Sequence, residues 1–290
     1  MLDIRQLLIL GGDKRQEYMA LDLYKKGFGV SVFGISQLDE AENIKILDFK
    51  ELQEKIGLFD AIILPLPASR DNKHIATSGE EISIDFLLSN ISSSQVVFAA
   101  MLNDENKSKF FKRGIKLYDY YEREDIKTRN AYPTAQGVLK IILDNLPICL
   151  NRMKCLVTGC GKTAQAISLM LKSLDAKVTI AARKCGDIAW AENNSMDGIY
   201  IKNLKNSSID FDVVINTVPY TILDDTILSK INRQCLLIEI ASKPYGIDLS
   251  SAQKYKIHSI IASSLPGKTV PKAAGEIISD TISYMIKEGK

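Results

Sequence analysis

Residues 155 to 184, CLVTGCGKTAQAISLMLKSLDAKVTIAARK, constrain the fold more than any other stretch of this chain. The apolar run Cys155–Thr158 reads as a buried parallel strand. Gly159-Cys160-Gly161-Lys162-Thr163-Ala164 then fits the G-x-G-x-x-G/A pattern. A helix over Thr163–Leu174 and a second buried strand over Lys177–Ala182 complete a strand–turn–helix–strand unit. Each small residue has a mechanical task in such a unit. Gly159 permits the tight turn, Gly161 lets the backbone approach a pyrophosphate, and Ala164 keeps helix and strand close. The helix start offers N–H groups and a positive dipole end to phosphates, with Lys162 and Thr163 beside it. The pattern predicts a Rossmann dinucleotide site.

The end of the second strand narrows the cofactor. A site for NAD places Asp or Glu there, about 20 residues past the glycines, to hold the ribose 2′-hydroxyl. Here the strand runs into Ala181-Ala182-Arg183-Lys184. Two cations suit a 2′-phosphate, and a planar guanidinium stacks on adenine. The expected cofactor is NADP, with NAD as the alternative. A second buried strand, Val213–Asn216, ends in Asn216-Thr217-Val218-Pro219, and Asn216, Thr217 and Pro219 join the expected cofactor contacts.

The remaining chain alternates in the same way. Strands are expected at Gln6–Leu10, Val30–Gly34, Ala61–Leu64, Val96–Ala100 and Lys116–Tyr118, and later at Leu236–Ile240 and Ile257–Ile261. Helical stretches separate them, so the fold class is α/β with parallel sheets in two domains. The chain's 290 residues are too many for one comfortable core. We place a first α/β domain, for substrate or partner, at 1–150 and the Rossmann domain at 151–290. A long helix over Asp125–Asn145 is expected to break near Tyr132-Pro133-Thr134, because the residue before proline disfavours helix. A final helix from Pro271 to about Lys287 is expected to pack back on the first domain. Ser92-Ser93-Ser94 and Ser207-Ser208 read as short loops.

Composition excludes other classes. The chain is 46% hydrophobic and 25% charged, with a net charge of +2, which drives it toward neither nucleic acid nor membrane. No apolar run reaches the ~18 residues of a membrane span, and no signal peptide is read, so a cytoplasmic protein is expected. Five scattered cysteines, without a C-x-x-C pair, are expected to be reduced, buried small hydrophobes. His74 and His258, the two histidines, lack ligand spacing, so no metal is expected.

Ligands of open parallel sheets sit beyond the carboxyl ends of the strands. That rule selects Gly12–Arg15, Pro65–Arg70, Asn216–Pro219, Ala241–Pro244 and Ser263–Lys268, expected to face one cleft between the domains, and the Asn130–Gly137 segment is a further candidate. Arg15, Arg70, Lys268 and Lys272 there would suit an anionic substrate. His74 reads as a loop residue and His258 as a strand residue, so no histidine poised by a carboxylate is expected. No Gly-x-Ser-x-Gly elbow, catalytic Cys/His pairing or P-loop is present. Hydride transfer without an evident strong base is the chemistry that fits, and the catalytic residue is not assigned.

Four stretches carry a family resemblance: Gly11–Met19, Asn130–Gly137, Gly159–Ala164 with Val178–Arg183, and Leu265–Gly275. Together they resemble the A subunit of dipicolinate synthase from spore-forming bacteria. The resemblance implies two α/β domains and a partner, the smaller flavoprotein-like B subunit. It implies oxidation of a dihydrodipicolinate-type product of the lysine (diaminopimelate) pathway to dipicolinate, with NADP taking the hydride in the mother cell during sporulation. Arg15, Thr134, Lys268 and Lys272 would then hold the substrate's two carboxylates. Gln136 stands where the family has Glu, which puts an acid–base role there in doubt. Two other readings remain open: an NADP(H)-sensing or scaffolding subunit without its own catalysis, and a shikimate-dehydrogenase-like oxidoreductase.

Overall fold

The structure, a computed structural model, describes residues 3–35, 43–77, 79–206 and 210–289. Ser207 and Ser208 lie outside the described residues. The chain divides into two compact units, Met1–Arg129 with Pro271–Lys290, and Asn130–Val270. The expected boundary at 150 therefore falls twenty residues inside the second unit. The final helix belongs to the first unit rather than to the nucleotide unit that precedes it.

The first unit is a six-stranded parallel sheet. Its strands are β1 (Gln6–Leu10), β2 (Gly29–Phe33), β3 (Lys45–Ile46) and β4 (Ala61–Ile63), then β7 (Val96–Ala99) and β8 (Lys116–Asp119). A short antiparallel hairpin, β5 (His74–Ile75) and β6 (Ile82–Ser83), lies between β4 and β7 in the chain. The sheet order is β3-β2-β1-β4-β7-β8, with Ile9 paired to both Val32 and Ile63. Helices α1 (Lys14–Lys25), α2 (Phe49–Lys55), α3 (Ile84–Asn90) and α4 (Asp104–Lys112) provide the crossovers. Alternation along β1 builds two cores. Leu7 and Ile9 pack with Met19 and Leu23 of α1, whereas Leu8 and Leu10 pack with Leu52, Leu87 and Phe110.

Helix α5 (Glu124–Asn145) carries the chain into the second unit without a break. The interruption expected at Pro133 does not occur. Pro133 removes one intrahelical bond and costs about 3 kcal/mol. Ala131, Ala135, Val138 and Ile142 bury one face of the helix in the second unit's core. Val138 and Ile142 alone contribute about 1.5–3 kcal/mol each, which offsets the proline. Thr134 Oγ1 also donates to the Asn130 carbonyl at 2.9 Å.

The second unit repeats the architecture. Its strands are β9 (Lys154–Thr158), β10 (Lys177–Ala182), β11 (Asp197–Tyr200), β12 (Val213–Asn216), β13 (Leu236–Glu239) and β14 (Ser259–Ile261), ordered β11-β10-β9-β12-β13-β14. Helices α6 (Lys162–Ser173), α7 (Cys185–Asn193), α8 (Asp225–Leu228), α9 (Leu249–Lys254) and α10 (Leu265–Thr269) flank it. His258, expected within the last strand, stands just before β14. Both sheets are doubly wound, so each has a switch point where the strand order reverses beside its first strand.

Among the described residues no helix is long and apolar enough to cross a membrane. The cysteines depart from expectation. Cys155 and Cys235 are buried, and burial pushes both thiols up to about 12, but Cys160 is half-buried and Cys149 and Cys185 are exposed. Cys149 lies in the loop after α5 and Cys185 opens α7, both at the surface.

Helix α11 (Pro271–Glu288) closes the first unit by packing on α1. Gly275 makes this possible: a Cβ there would lie 2.3 Å from the Arg15 carbonyl oxygen and 3.0 Å from the Met19 nitrogen. Lys26 of the chain just past α1 clasps Asp280 at 2.7 Å. Gly275→Ala must push two backbones apart, and we expect it to cost about 2 kcal/mol, lowering the melting temperature by roughly 5 °C. An unchanged melting curve would show that the helices are not held at this separation.

Candidate functional site

The two switch points are built from the same topology but finished with different chemistry. In the second unit, β9 delivers Gly159 and β12 delivers Thr217. Gly159 takes φ +90°, and a Cβ on it would meet Thr217 Oγ1 at 2.6 Å and Val218 Cγ2 at 2.8 Å. This glycine is required by the protein itself. Gly161 differs: it caps α6 with φ −75°, and an added Cβ would meet nothing within 4 Å. No side chain caps that helix N-terminus. Open space at Gly161 and an uncapped helix of twelve residues give an anion access to main-chain N–H groups. The residues present therefore fit a dinucleotide's pyrophosphate.

The neighbours are placed accordingly. Lys162 and Thr163 begin α6 and are partly exposed, and Ala164 is buried in the core against the sheet. Gln165 Nε2 donates to the Cys160 carbonyl at 3.1 Å, holding the loop. Arg183 and Lys184 follow β10 directly and are exposed. The nearest acid along the chain, Asp187, lies in the first turn of α7, where it complements that helix's own dipole.

Asn216 plays a different part from the one its position suggests. It is fully buried, and its side chain is spent on the protein. Its Oδ1 accepts from Thr158 Oγ1 at 2.5 Å, while Nδ2 donates to the Val218 carbonyl at 2.9 Å and to Glu239 Oε1 at 2.7 Å. Thr217 Oγ1 donates to the Thr158 carbonyl at 2.7 Å, and Pro219 is exposed. These residues shape the loop that stands beside Gly159.

Glu239, which the sequence reading missed, anchors the same loops. This carboxylate is 1% exposed at the end of β13. Besides Asn216 it accepts from the backbone N–H groups of Ala241, Gly246 and Ile247 at 2.8–2.9 Å. Four donors satisfy a charge that would otherwise be costly to bury. The signal was present as a lone acid within the apolar run Leu236–Ile240.

The first unit's switch point holds a pocket of about 280 Å³. The loop after β1 and the first turn of α1 supply Gly12, Asp13, Arg15 and Gln16, the loop after β4 supplies Pro65–Pro67 and Arg70, and the hairpin segment adds Ala76 and Thr77. Here α1 is capped by its own chain. Asp13 accepts from the Arg15 N–H at 3.0 Å, and Gln16 Oε1 accepts from the Asp13 N–H at 2.9 Å. The Arg15 guanidinium clasps Asp13 through Nε at 2.9 Å and Nη2 at 2.8 Å, and donates to the Leu66 carbonyl at 2.6 Å. Burial works to raise the Asp13 pKa, but Arg15, aided by the Arg70 charge, holds it below the usual carboxylate value. A carboxylate thus occupies the place where α6 leaves room for a phosphate.

The expected substrate cations distribute over both units. Arg15 and Arg70 share the first unit's pocket. Lys272, exposed in α11, belongs to that unit but lies outside the pocket lining. Lys268, exposed in α10, and Thr134 in α5 belong to the second. One expectation is corrected. His74 lies in β5, not in a loop, and it does face a carboxylate: its Nδ1 is 2.7 Å from Asp71 Oδ2. That hydrogen bond raises the His74 pKa, and backbone donation from His74, with the bond from its ring, lowers that of Asp71. The pair is exposed and outside the pocket lining. Among the described residues no group of three or more His, Cys, Asp or Glu could hold a metal ion.

The two glycines should separate by measurement. Gly159→Ala forces a positive φ and a clash, so we expect a loss of about 1–3 kcal/mol in unfolding stability. Gly161→Val has room in the free protein, and we expect its melting curve to be unchanged while dinucleotide affinity falls at least tenfold. Retained affinity in Gly161→Val contradicts the assignment.

Comparison with known proteins agrees along the chain. Residues 6–121 match the family model of the N-terminal domain of the dipicolinate synthase A subunit. The A subunit of dipicolinate synthase from Bacillus subtilis (strain 168) is 29% identical over 299 residues, covering 99% of this chain and 98% of that protein. The crystal structure of the A subunit of dipicolinate synthase from Bacillus halodurans superposes with a TM-score of 0.88 at 26% identity, covering 99% of both chains. A transhydrogenase from Sinorhizobium meliloti, at 13% identity and a TM-score of 0.71 over 97% of this chain and 94% of its own, shares the fold. The chain is therefore similar along its whole length to the A subunits of dipicolinate synthase, the family its sequence motifs resemble, and the family model matches its residues 6–121.

Proposed function

We propose that this protein is the oxidoreductase subunit of a dipicolinate synthase. It removes a hydride from a dihydrodipicolinate-type dicarboxylate of the lysine (diaminopimelate) pathway, and the ring becomes aromatic. The bound nicotinamide supplies the hydride acceptor. The observation that carries the reading is the uncapped start of α6 behind Gly161, at the switch point of a doubly wound sheet. Whole-length similarity to the A subunit of dipicolinate synthase supports a reaction that ends in dipicolinate.

Arg183 and Lys184, where an NAD site would present a carboxylate, favour NADP. Arg15, Arg70, Lys268, Lys272 and Thr134 are the proposed carboxylate ligands. Loss of a hydride and a proton from the dihydro ring gains aromatic stabilisation, so a weak proton acceptor suffices. The proposed partner is a B subunit, which the name of the relatives indicates, in the cytoplasm of the sporulating mother cell. An alternative role confined to sensing NADP(H) makes a distinct prediction, since such a protein transfers no hydride in a single turnover.

Mixing the protein and its B partner with freshly generated dihydrodipicolinate and NADP should yield dipicolinate absorbance and an equal amount of NADPH. Absence of both, while a known synthase works in parallel, overturns the reading. Arg183→Ala should raise the KM for NADP about tenfold or more and leave that for NAD nearly unchanged. Equal effects on the two cofactors would show that Arg183 does not read the 2′-phosphate.

A further inference from the structure

The pocket of the first unit contains a polar group that the protein leaves unserved. Gln16 is completely buried and lines that pocket. Its Oε1 accepts the Asp13 N–H, which fixes the amide orientation, because only the oxygen can accept from a backbone donor. The other atom, Nε2, is buried with no hydrogen-bond partner. Buried donors are almost always paired, and the exceptions call for a reason. The Arg15 side chain, 8% exposed, is the second element of a built site. Its Nε and Nη2 are engaged by Asp13 and Leu66, which lock the plane of the guanidinium at the pocket. Arg70 is an exposed third element on the pocket lining. Pro65, Leu66, Pro67 and Ala76 complete a lining whose exposed surface is mainly polar.

We infer that this pocket binds a small, flat carboxylate by itself, without the dinucleotide, and that Gln16 Nε2 is its specificity donor. Arg15 and Arg70 supply positive charge to a carboxylate, and Gln16 donates to an acceptor atom of the ligand. Asp13 cancels part of the Arg15 charge, so Arg70 and the amide donor decide affinity. A volume of about 280 Å³ suits a single-ring acid and is too small for a dinucleotide. Gln16 thus does two tasks with one amide: its oxygen caps α1 and its nitrogen reads the ligand. The ligand class rests on the proposed function, and the site rests on the pocket and its orphan donor.

Titration calorimetry of the full-length protein, free of dinucleotide, tests this with pyridine-2,6-dicarboxylate and benzoate as probes. The wild type should bind the dicarboxylate. Gln16→Glu keeps an oxygen to cap α1 but replaces the donor by an acceptor, and it should weaken binding at least tenfold. Arg70→Ala, which leaves the cap untouched, should weaken binding of both acids severalfold even if Gln16→Glu proves unstable. NADPH binding, followed by its fluorescence, should be unaltered in both variants. No binding of either acid to folded wild type, or equal affinity in wild type and a folded Gln16→Glu, overturns the inference. These outcomes are separable from the proposed reaction. Dicarboxylate binding without turnover leaves the site standing and removes the function, whereas full turnover by Gln16→Glu removes the site and leaves the function.

Discussion

The main-chain donors at the start of α6 are the resource on which the account turns. Two helices in this chain follow the first strand of a doubly wound sheet, and both begin at a switch point. One is satisfied internally, by the Asp13 carboxylate and the Gln16 amide. The other is introduced by a glycine with open space and no side-chain cap. At α1 the Asp13 carboxylate already occupies the capping position, so an anion there depends on the Arg15 and Arg70 side chains, whereas one approaching α6 meets a dipole end of favourable sign. The same topology is therefore finished in two ways, and in the proposed function this difference in capping decides which helix start takes a phosphate.

That arrangement depends on loops being held still, and buried polar groups do the holding. In the second unit, Thr158, Asn216 and Glu239 link the carboxyl ends of β9, β12 and β13 into one hydrogen-bonded row. Glu239 then fixes the chain at Ala241, Gly246 and Ile247. Each member is satisfied, which is the condition under which a buried network rigidifies rather than weakens a core. In the first unit the Arg15 clasp of Asp13 and Leu66 serves the same end, joining the loops after β1 and β4.

Much of this was legible in the sequence because parallel strands buried on both faces read as continuous apolar runs. β1, β10 and β12 have the bounds those runs predict, and the glycine pattern located the α6 turn. Strand β11 was not foreseen, since Asp197–Tyr200 is a partly exposed edge without an apolar run. Local preference argues for a break at Pro133, but burial of Val138 and Ile142 prevails. The Asp71–His74 pair and the orphan Gln16 amide depend on turns and packing that no spacing rule encodes. The motifs around Gly11–Met19 and Leu265–Gly275 are explained together. Gly275 is what lets α11 reach the Arg15 turn, so distant stretches are tied by one close contact.

A crystal structure with NADP bound would locate the pyrophosphate. The account predicts the pyrophosphate within hydrogen-bonding distance of main-chain N–H groups at the start of α6, beside Gly161, with the 2′-phosphate at Arg183. A pyrophosphate at the start of α1, or anywhere away from Gly161, would contradict it.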